Sequence, residues 1–530
     1  MSLAIVFRSK QPRGIIDCGK VNDSYCYRNE YFQACIHSRE YNFKFSPLIT
    51  VMKLTRSHHP LLWIIFVCCL CFSSNLIAQQ KLAVSANKRF LIREDGKPFF
   101  YLGDTGWELF HKLKKSDAHT YLSNRAGKNF NVIQAVLVAE MNGLTEPNAN
   151  GDVPFINLDP SKPNEKYFSH VDEIVDMAAS MGLYMALLPT WGSWAMKEQH
   201  PLFKPIHFFN EDAARSYGSY LGKRYKNKKN IIWVLGGDRN PNGYETLWQA
   251  MAHALRKAVG KNHLITYHPT GGWSSSAFWH NADWLDFNMV QSGHQVKFMN
   301  SYDYIQHDYN LKPPKPTMDA ETNYEDAGVS FHTSNGLFSD YDVRVSSYFS
   351  VFAGGCGITY GANSIWQMYN GKNNILNAHR TWKESLDLPG SYQMRHLKNL
   401  IESRPFLSRI PDQSILVKNK GFIEFADAGS HHMQATRDGT MGKKDATYIM
   451  VYTPLGRGIR VNTSVINNTK LKAWWYDPRN GVALFVGEFE NKGVFEAPWS
   501  SLPWHNGAGP DWVLIVDDAS KNYPPPGQPS

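Results

Sequence analysis

Between residues 99 and 360 the chain alternates eight short, unbroken apolar runs with longer segments of helical periodicity. That alternation leaves few folds open. The runs are Phe99–Gly103, Asn131–Val138, Leu183–Pro189, Ile231–Gly236, His263–Tyr267, Leu285–Val290, Pro316–Ala320 and Gly355–Tyr360. Continuous apolar runs of this length read as strands buried on both faces, the habit of a parallel sheet. The helical segments include Ser116–Lys128, Phe168–Met181, Glu211–Tyr225, Tyr244–Val259, Asp340–Phe352 and Tyr392–Ser403. In one of them Val171, Ile174, Val175 and Ala178 fall on a single face. The pattern predicts an α/β fold of the (β/α)8 TIM-barrel type. An open doubly wound sheet is the rival, but it usually carries a Gly-rich phosphate loop after its first strand. LGDTGW at Leu102–Trp107 is not such a loop.

From Pro411 the pattern changes. Ser414–Val417, Phe422–Ala426, Ala446–Tyr452, Leu471–Tyr476, Val482–Val486 and Trp512–Val516 predict short strands, with DPRNG at Asp477–Gly481 as a hairpin turn. A small antiparallel β-sandwich over 411–520 is therefore expected after a barrel domain of 79–410, with a disordered Pro-rich tail at 521–530. At the other end, residues 52–78 have the order of a signal peptide: Lys53 and Arg56, then the apolar run Leu61–Phe72, then the small residue Ala78. Met52 is its natural start, which makes residues 1–51 an upstream extension. The apolar run is short for a membrane span. The mature chain is expected to be secreted or periplasmic, without a span.

The net charge of +9 is not concentrated in a polybasic run, so nucleic acid is not an expected partner. Six of the seven cysteines precede residue 79, and only Cys356 follows. A mature chain with one cysteine has no internal disulfide and no Cys-rich metal site. No HExxH and no P-loop occur, so neither a metal nor another cofactor is expected. Cys356 sits among small residues and reads as core, while His111, His119 and His253 lie on helix faces and read as structural.

Barrel chemistry collects at the C-terminal ends of the strands, and here those ends carry polar and aromatic residues in series. Asp104 and Trp107 follow the first strand; Gln134 lies in the second and Glu140 follows it. Trp191 and Trp194 follow the third, Asp238 and Arg239 the fourth, and His268 and Trp273 the fifth. Gln291 and His294 follow the sixth, Glu321 the seventh, and Trp366 lies just beyond the eighth. Acids, amides, His and Trp at equivalent ends suit an oligo- or polysaccharide, whose hydroxyls need polar partners and whose C–H faces need flat apolar ones. Asp238 and Glu321 stand out, because strands four and seven face each other across a barrel mouth. Glycoside hydrolysis needs one carboxyl to protonate the leaving oxygen and another to attack or to activate water. Asp238 also reads as a helix cap. Asp319, Glu325 and Asp326 compete with Glu321, Asp319 most of all, since alternation puts it on the same face.

Several long stretches resemble glycoside hydrolase family 140, the apiosidase family of secreted bacterial enzymes. They are Gly96–Leu113, Asn124–Glu140, Asn230–Pro241 (NIIWVLGGDRNP), Trp284–His294, Asp319–Asp326, Tyr341–Tyr369 and Gln393–Ser414. The resemblance covers about residues 88 to 518. It implies a barrel followed by a β-sandwich labelled as collagen-binding, and cleavage of apiose-linked side chains of the pectic polymer rhamnogalacturonan II. It also implies that Asp238 is the acid/base and Glu321 the nucleophile of a retaining mechanism. Related barrel hydrolases mostly carry Glu at the strand-four position, one methylene longer than Asp238. Two alternatives stay open on the residues: a barrel glycosidase with another plant polysaccharide as target, such as an endoglucanase- or galactosidase-like enzyme, and a non-catalytic glycan- or matrix-binding protein.

Overall fold

The computed structural model describes residues 79–196, 208–372, 374–417, 428–498 and 509–528. The expected upstream extension (1–51), the expected signal peptide (52–78) and the strand expected at Phe422–Ala426 lie outside the described residues. Eight parallel strands form the centre: β1 (Tyr101–Thr105), β2 (Val132–Val136), β3 (Tyr184–Leu188), β4 (Ile231–Leu235), β5 (Leu264–Tyr267), β6 (Asn288–Gln291), β7 (Thr317–Glu321) and β8 (Gly357–Tyr360). Every residue of the eight is buried, as unbroken apolar runs require when both faces of a sheet are covered. The order along the sheet is β5-β4-β3-β2-β1-β8-β7-β6, and the short strand Trp273–Ser274 adds an antiparallel edge to β6. No ladder joins β5 to β6. The approach to β6 is instead tied to β5 by Asp286 N–H donating to Ile265 O (2.9 Å) and Thr266 Oγ1 donating to Phe287 O (2.7 Å).

Helices α1 (Lys115–Gly127), α2 (Glu165–Ser180), α3 (Glu211–Tyr225), α4 (Glu245–Val259), α5 (Ser301–Asn310), α6 (Asp340–Phe352) and α7 (Pro389–Glu402) pack against the sheet and against one another. Their starts follow local chemistry. Asn164 caps α2 and Asn210 caps α3 through side-chain oxygens, Ser339 and Asp342 form a capping box on α6, and Pro389 occupies the first turn of α7. Gly218 and Gly222 let α3 approach α4: a Cβ on Gly222 would lie 2.6 Å from Ala258 Cβ. Among the described residues no helix is long and apolar enough to cross a membrane.

The C-terminal β-domain is a six-stranded antiparallel sheet with a two-stranded ribbon, Arg460–Asn462 with Val494–Glu496. Its large sheet comprises β9 (Arg409–Pro411), β10 (Gln434–Asp438), β11 (Tyr448–Thr453), β12 (Lys470–Tyr476), β13 (Ala483–Glu490) and β14 (Trp512–Asp518), in the order β9-β10-β11-β14-β12-β13. The strand expected at Ser414–Val417 is instead a 3₁₀ turn at Gln413–Ile415, because Asp412 caps it through Ser414 N. The Asp477–Gly481 hairpin joins β12 to β13 as expected, closed by Gly481 N–H donating to Asp477 O (2.8 Å). One face of the sheet, with Tyr448, Met450, Tyr452, Val513 and Ile515, belongs to the same core as the parallel sheet and its helices. The alternate residues Ile449, Val451, Leu514 and Val516 build a second, separate core on the other face. The tail is not loose as its prolines suggested, but docked as far as Gln528. Tyr523 Oη bonds Thr447 Oγ1 at 2.7 Å, its ring lies 4.8 Å from the Arg404 guanidinium carbon, and Pro526 is buried.

Candidate active site

The β4 exit is a tight turn through Gly236 (φ 93°), Gly237 (φ 54°) and Asp238 (φ 61°). Glycine is needed at the first two by contact as well as by φ. A Cβ on Gly236 would sit 2.3 Å from His268 O, and one on Gly237 would sit 2.4 Å from Gly192 N. Asp238 adopts the same left-handed region, which aspartate tolerates better than most residues. A left-handed non-glycine costs on the order of 1 kcal/mol or more and is characteristic of functional sites. Arg239 Nη1 reaches back to Asp238 O (2.7 Å) and Oδ2 (3.1 Å), pinning the carboxylate. Asp238 is therefore no helix cap: α4 begins after Tyr244.

On β7 a bulge decides which acid faces Asp238. Val290 pairs with Asp319 but Gln291 pairs with Glu321, so Ala320 is the extra residue. The alternation that would put Asp319 and Glu321 on one face is broken there. Asp319 turns towards α6, where Ser350 Oγ donates to Oδ2 (3.0 Å) and Ser292 N to Oδ1 (3.3 Å). Glu321 turns to the two histidines. His294 lies 2.9 Å from Oε1 and His268 3.4 Å from Oε2, each through Nε2. Tyr324 N–H donates to His294 Nδ1 (3.3 Å), which makes Nδ1 an acceptor and leaves Nε2 to donate to the carboxylate.

These surroundings separate the two carboxyls. Burial raises the Asp238 pKa to about 7; the Glu321 charge adds to that shift, and Arg239 opposes it. Burial also works against charge on Glu321, but the contacts of His268 and His294 outweigh it and hold the group at about 2. The His268 imidazole, whose burial disfavours the cation, is raised by its contact with Glu321. One oxygen of each carboxylate and a His268 ring nitrogen lie within 4.8 Å of one another. Among the described residues these three side chains are also the group that could hold a metal ion. Trp107 stands edge-on to His268 (5.4 Å) and against Trp191 (5.9 Å), so a buried aromatic wall backs the carboxylates.

Several expected residues meet here. Glu140 is close enough to raise the Asp238 pKa through its charge. Gln291 is in register with Glu321, and its Oε1 is buried without a protein partner. Trp191 and Trp366 likewise bury an Nε1–H that bonds nothing in the protein. Buried atoms of this kind beside the carboxylates can bond a ligand's hydroxyls. Trp273 stands at the rim, 47% exposed.

Other expected residues are not brought to the site. Asp104 faces α1, accepting from Tyr121 Oη (2.5 Å) and Arg125 Nε (2.8 Å) in a buried ion pair. Gln134 lies inside the sheet and donates to Ala320 O (3.0 Å), holding the bulge rather than a ligand. Trp194 spends its Nε1–H on Ala139 O (2.8 Å). Glu325 accepts from Tyr360 Oη (2.6 Å) and Gly390 N (3.1 Å), and Asp326 pairs with His379 and Arg380. His111 is buried against Glu108 (2.7 Å), while His253 is exposed beside Asp283. Cys356 is buried. Sequence reasoning missed Asn323 and Tyr324. Asn323 donates to Gly293 O (2.9 Å), its Oδ1 buried and unpartnered, and Tyr324 packs its ring 4.3 Å from that of His294. The only signal for either was closeness to Glu321.

Residues 85–408 match the family described as "Apiosidase-like, catalytic domain", and residues 410–517 match "Putative collagen-binding domain of a collagenase". A solved structure described only as a glycoside hydrolase is 36% identical, covering 84% of this chain and 98% of its own, with a TM-score of 0.74. A glycoside hydrolase of family 5 from Bacteroides vulgatus ATCC 8482 is 32% identical over 84% of this chain and 94% of its own, also with a TM-score of 0.74. No curated protein matches the chain.

Proposed function

We propose, for a chain that belongs to the apiosidase-like family and is a glycoside hydrolase, a retaining cleavage of apiose-linked side chains of rhamnogalacturonan II. The observation that carries the mechanism is the closeness of the two acids, with an oxygen of each within 4.8 Å. Retaining enzymes hold their carboxyls roughly 5–5.5 Å apart, and inverting ones leave about 6.5–9.5 Å for a water. Glu321 is the nucleophile: ionised, and aimed by His294 and His268, it attacks the anomeric carbon. Asp238 is the general acid that protonates the leaving oxygen. It then accepts a proton from the water that hydrolyses the glycosyl–Glu321 ester. Trp107, Trp191, Glu140, Arg239, Gln291 and Trp366 line the place where the sugar sits. The parallel strands are taken as a (β/α)8 barrel with its seam between β5 and β6, which sets β4 and β7 across one mouth.

Two measurements test this. NMR of the first-formed product should show the substrate's own anomer; the inverted anomer overturns the mechanism. Release of apiose-containing oligosaccharide from rhamnogalacturonan II, set against a panel of other glycans, tests the substrate. Cleavage of another plant polysaccharide alone overturns the apiose assignment and leaves the hydrolase.

The pH profile follows from the two shifts. Glu321 must be ionised, which holds at any pH well above about 2. Asp238 must be protonated, which fails as pH rises through about 7. The expected kcat/KM is flat on the acid side and falls tenfold per pH unit above that point. Asp238→Ala should remove this alkaline limb for substrates with good leaving groups. A limb that persists would reassign the acid.

Export is proposed as well, from the signal-like order of residues 52–78. N-terminal sequencing of secreted protein should begin near Gln79. Residues from before Met52 in the mature protein would overturn this.

A further inference from the structure

We infer that Phe331 and Trp273 form a second sugar-binding surface, an aromatic platform for the part of the glycan on the leaving-group side of the bond. The inference rests on the glycosidase reading above. Phe331 is 40% exposed and Trp273 47% exposed, each next to a residue of the site. They flank the loop that leaves β6. Trp273 pairs with Gln291 at its start, and the Phe331 ring stands edge-on to that of His294 at 5.6 Å.

Neither side chain is adrift. Trp273 is fixed by its strand and by Phe278, whose ring lies 5.5 Å away. Phe331 is held by an excursion stitched to itself and to the site. Ser330 N–H donates to His294 O (2.7 Å), Phe331 N–H to Gly328 O (2.9 Å), and Val329 N–H to Gly336 O (3.0 Å). The backbone is left-handed at both Ser330 (φ 53°) and Phe331 (φ 65°). For a bulky residue that conformation is an outlier. Stability is not served by placing an aromatic ring in solvent on strained backbone, so the ring's use lies in what it meets there.

The division of labour follows from burial. Trp107, Trp191 and His268 enclose the carboxylates and hold the ring whose bond is cut. A polymer continues outward from that ring, and the exposed aromatics beside His294 and Gln291 are the surface assigned to it. A sugar's C–H face stacks on such rings at little entropic cost, because the protein surface is already set. Phe331 is thus a specificity-determining residue: it favours an extended leaving group over a small one.

The test compares an oligosaccharide substrate with the corresponding glycosyl fluoride, whose leaving group has no ring to stack. The readout is the ratio of kcat/KM on the two. Phe331→Ala and Trp273→Ala should each lower that ratio by at least about tenfold, chiefly through KM on the oligosaccharide. Phe331→Tyr should restore it. Phe331→Gly should lower the ratio while raising Tm, since glycine relieves the left-handed strain; this variant keeps the test alive if the alanine variant folds poorly. An equal fall on both substrates, or an unmoved ratio, overturns the platform and leaves Phe331 as a cover for His294. The substrate pair is built on apiose first. If the wild type hydrolyses neither apioside, the apiose assignment fails, and the same ratio on whichever glycan it does cleave still decides the platform.

Discussion

Glu321→Gln is expected to reduce kcat by roughly 10⁴-fold or more on oligosaccharide and glycosyl fluoride alike. The amide keeps the size of the carboxylate and can still accept from His294, so the fold should survive, at a lower melting temperature because the anion's contacts with His268 and His294 are lost. What is lost is the anion that attacks the anomeric carbon. No neighbouring acid can replace it: Asp319 is turned to Ser350, and Glu325 is occupied by Tyr360 and Gly390. Asp238→Ala should behave differently. Its loss should cost about 10²–10⁴-fold on oligosaccharide, where the departing oxygen needs a proton, and much less on the fluoride. Steady-state kinetics of both variants on both substrates check this. A Glu321→Gln enzyme that turns over the fluoride normally would remove Glu321 from the mechanism.

Asp511→Ala is expected to destabilise the protein by about 3–5 kcal/mol, a large share of the ~5–15 kcal/mol that holds a typical domain together. Asp511 accepts both Nε and Nη2 of Arg344 at 2.9 Å, and Tyr452 Oη at 3.1 Å. Arg344 lies on α6 and is wholly buried. Without its partner it keeps Asp340 and Gln393 but loses its bidentate carboxylate. Replacing both Arg344 and Asp511 with apolar residues of similar volume should recover part of the loss, because the bidentate pair is removed together and Asp340, which loses Arg344, keeps Gln393. Denaturant midpoints at constant slope check both variants. The bond cleaved should not change, since the residues around the carboxylates all precede residue 370. Removing the whole β-domain should be worse still, as it strips the shared core from α6 and α7.

The strands of the parallel sheet were legible because burial on both faces demands continuous apolar runs, and Ile231–Leu235 is one. α5 was not. Its sequence SYDYIQHDYN buries Ser301, Tyr302, Ile305 and Asp308, too polar a stripe to show as periodicity. β10 was missed for a related reason. All five of its residues, QATRD, are buried, but Arg437 is satisfied by Asp412 and Asp438 by Thr447. Partners distant in sequence made a polar strand affordable. At the site, the strand-end positions of Asp238 and Glu321 were legible, but not the direction in which each end points. Asp104 looked equivalent to Asp238 until its side chain was found paired to Arg125, on the helix side. The bulge at Ala320 left no mark in the sequence, so alternation assigned Asp319 the wrong face. Tyr324 and Phe331 lie in irregular loops, where no period exists to read.

The shared core also sets an order of events during synthesis. Arg344 waits for Asp511, 167 residues later, and Arg404 for Asp517, 113 residues later. Domains ordinarily fold as they emerge, N-terminal part first. Here Arg344 on α6 and Arg404 just after α7 cannot be paired until Asp511 and Asp517 have been made. Until then the nascent chain stays incompletely packed. A chain cut short of Asp511 is left with an unpaired buried arginine and open apolar surface for proteases to find.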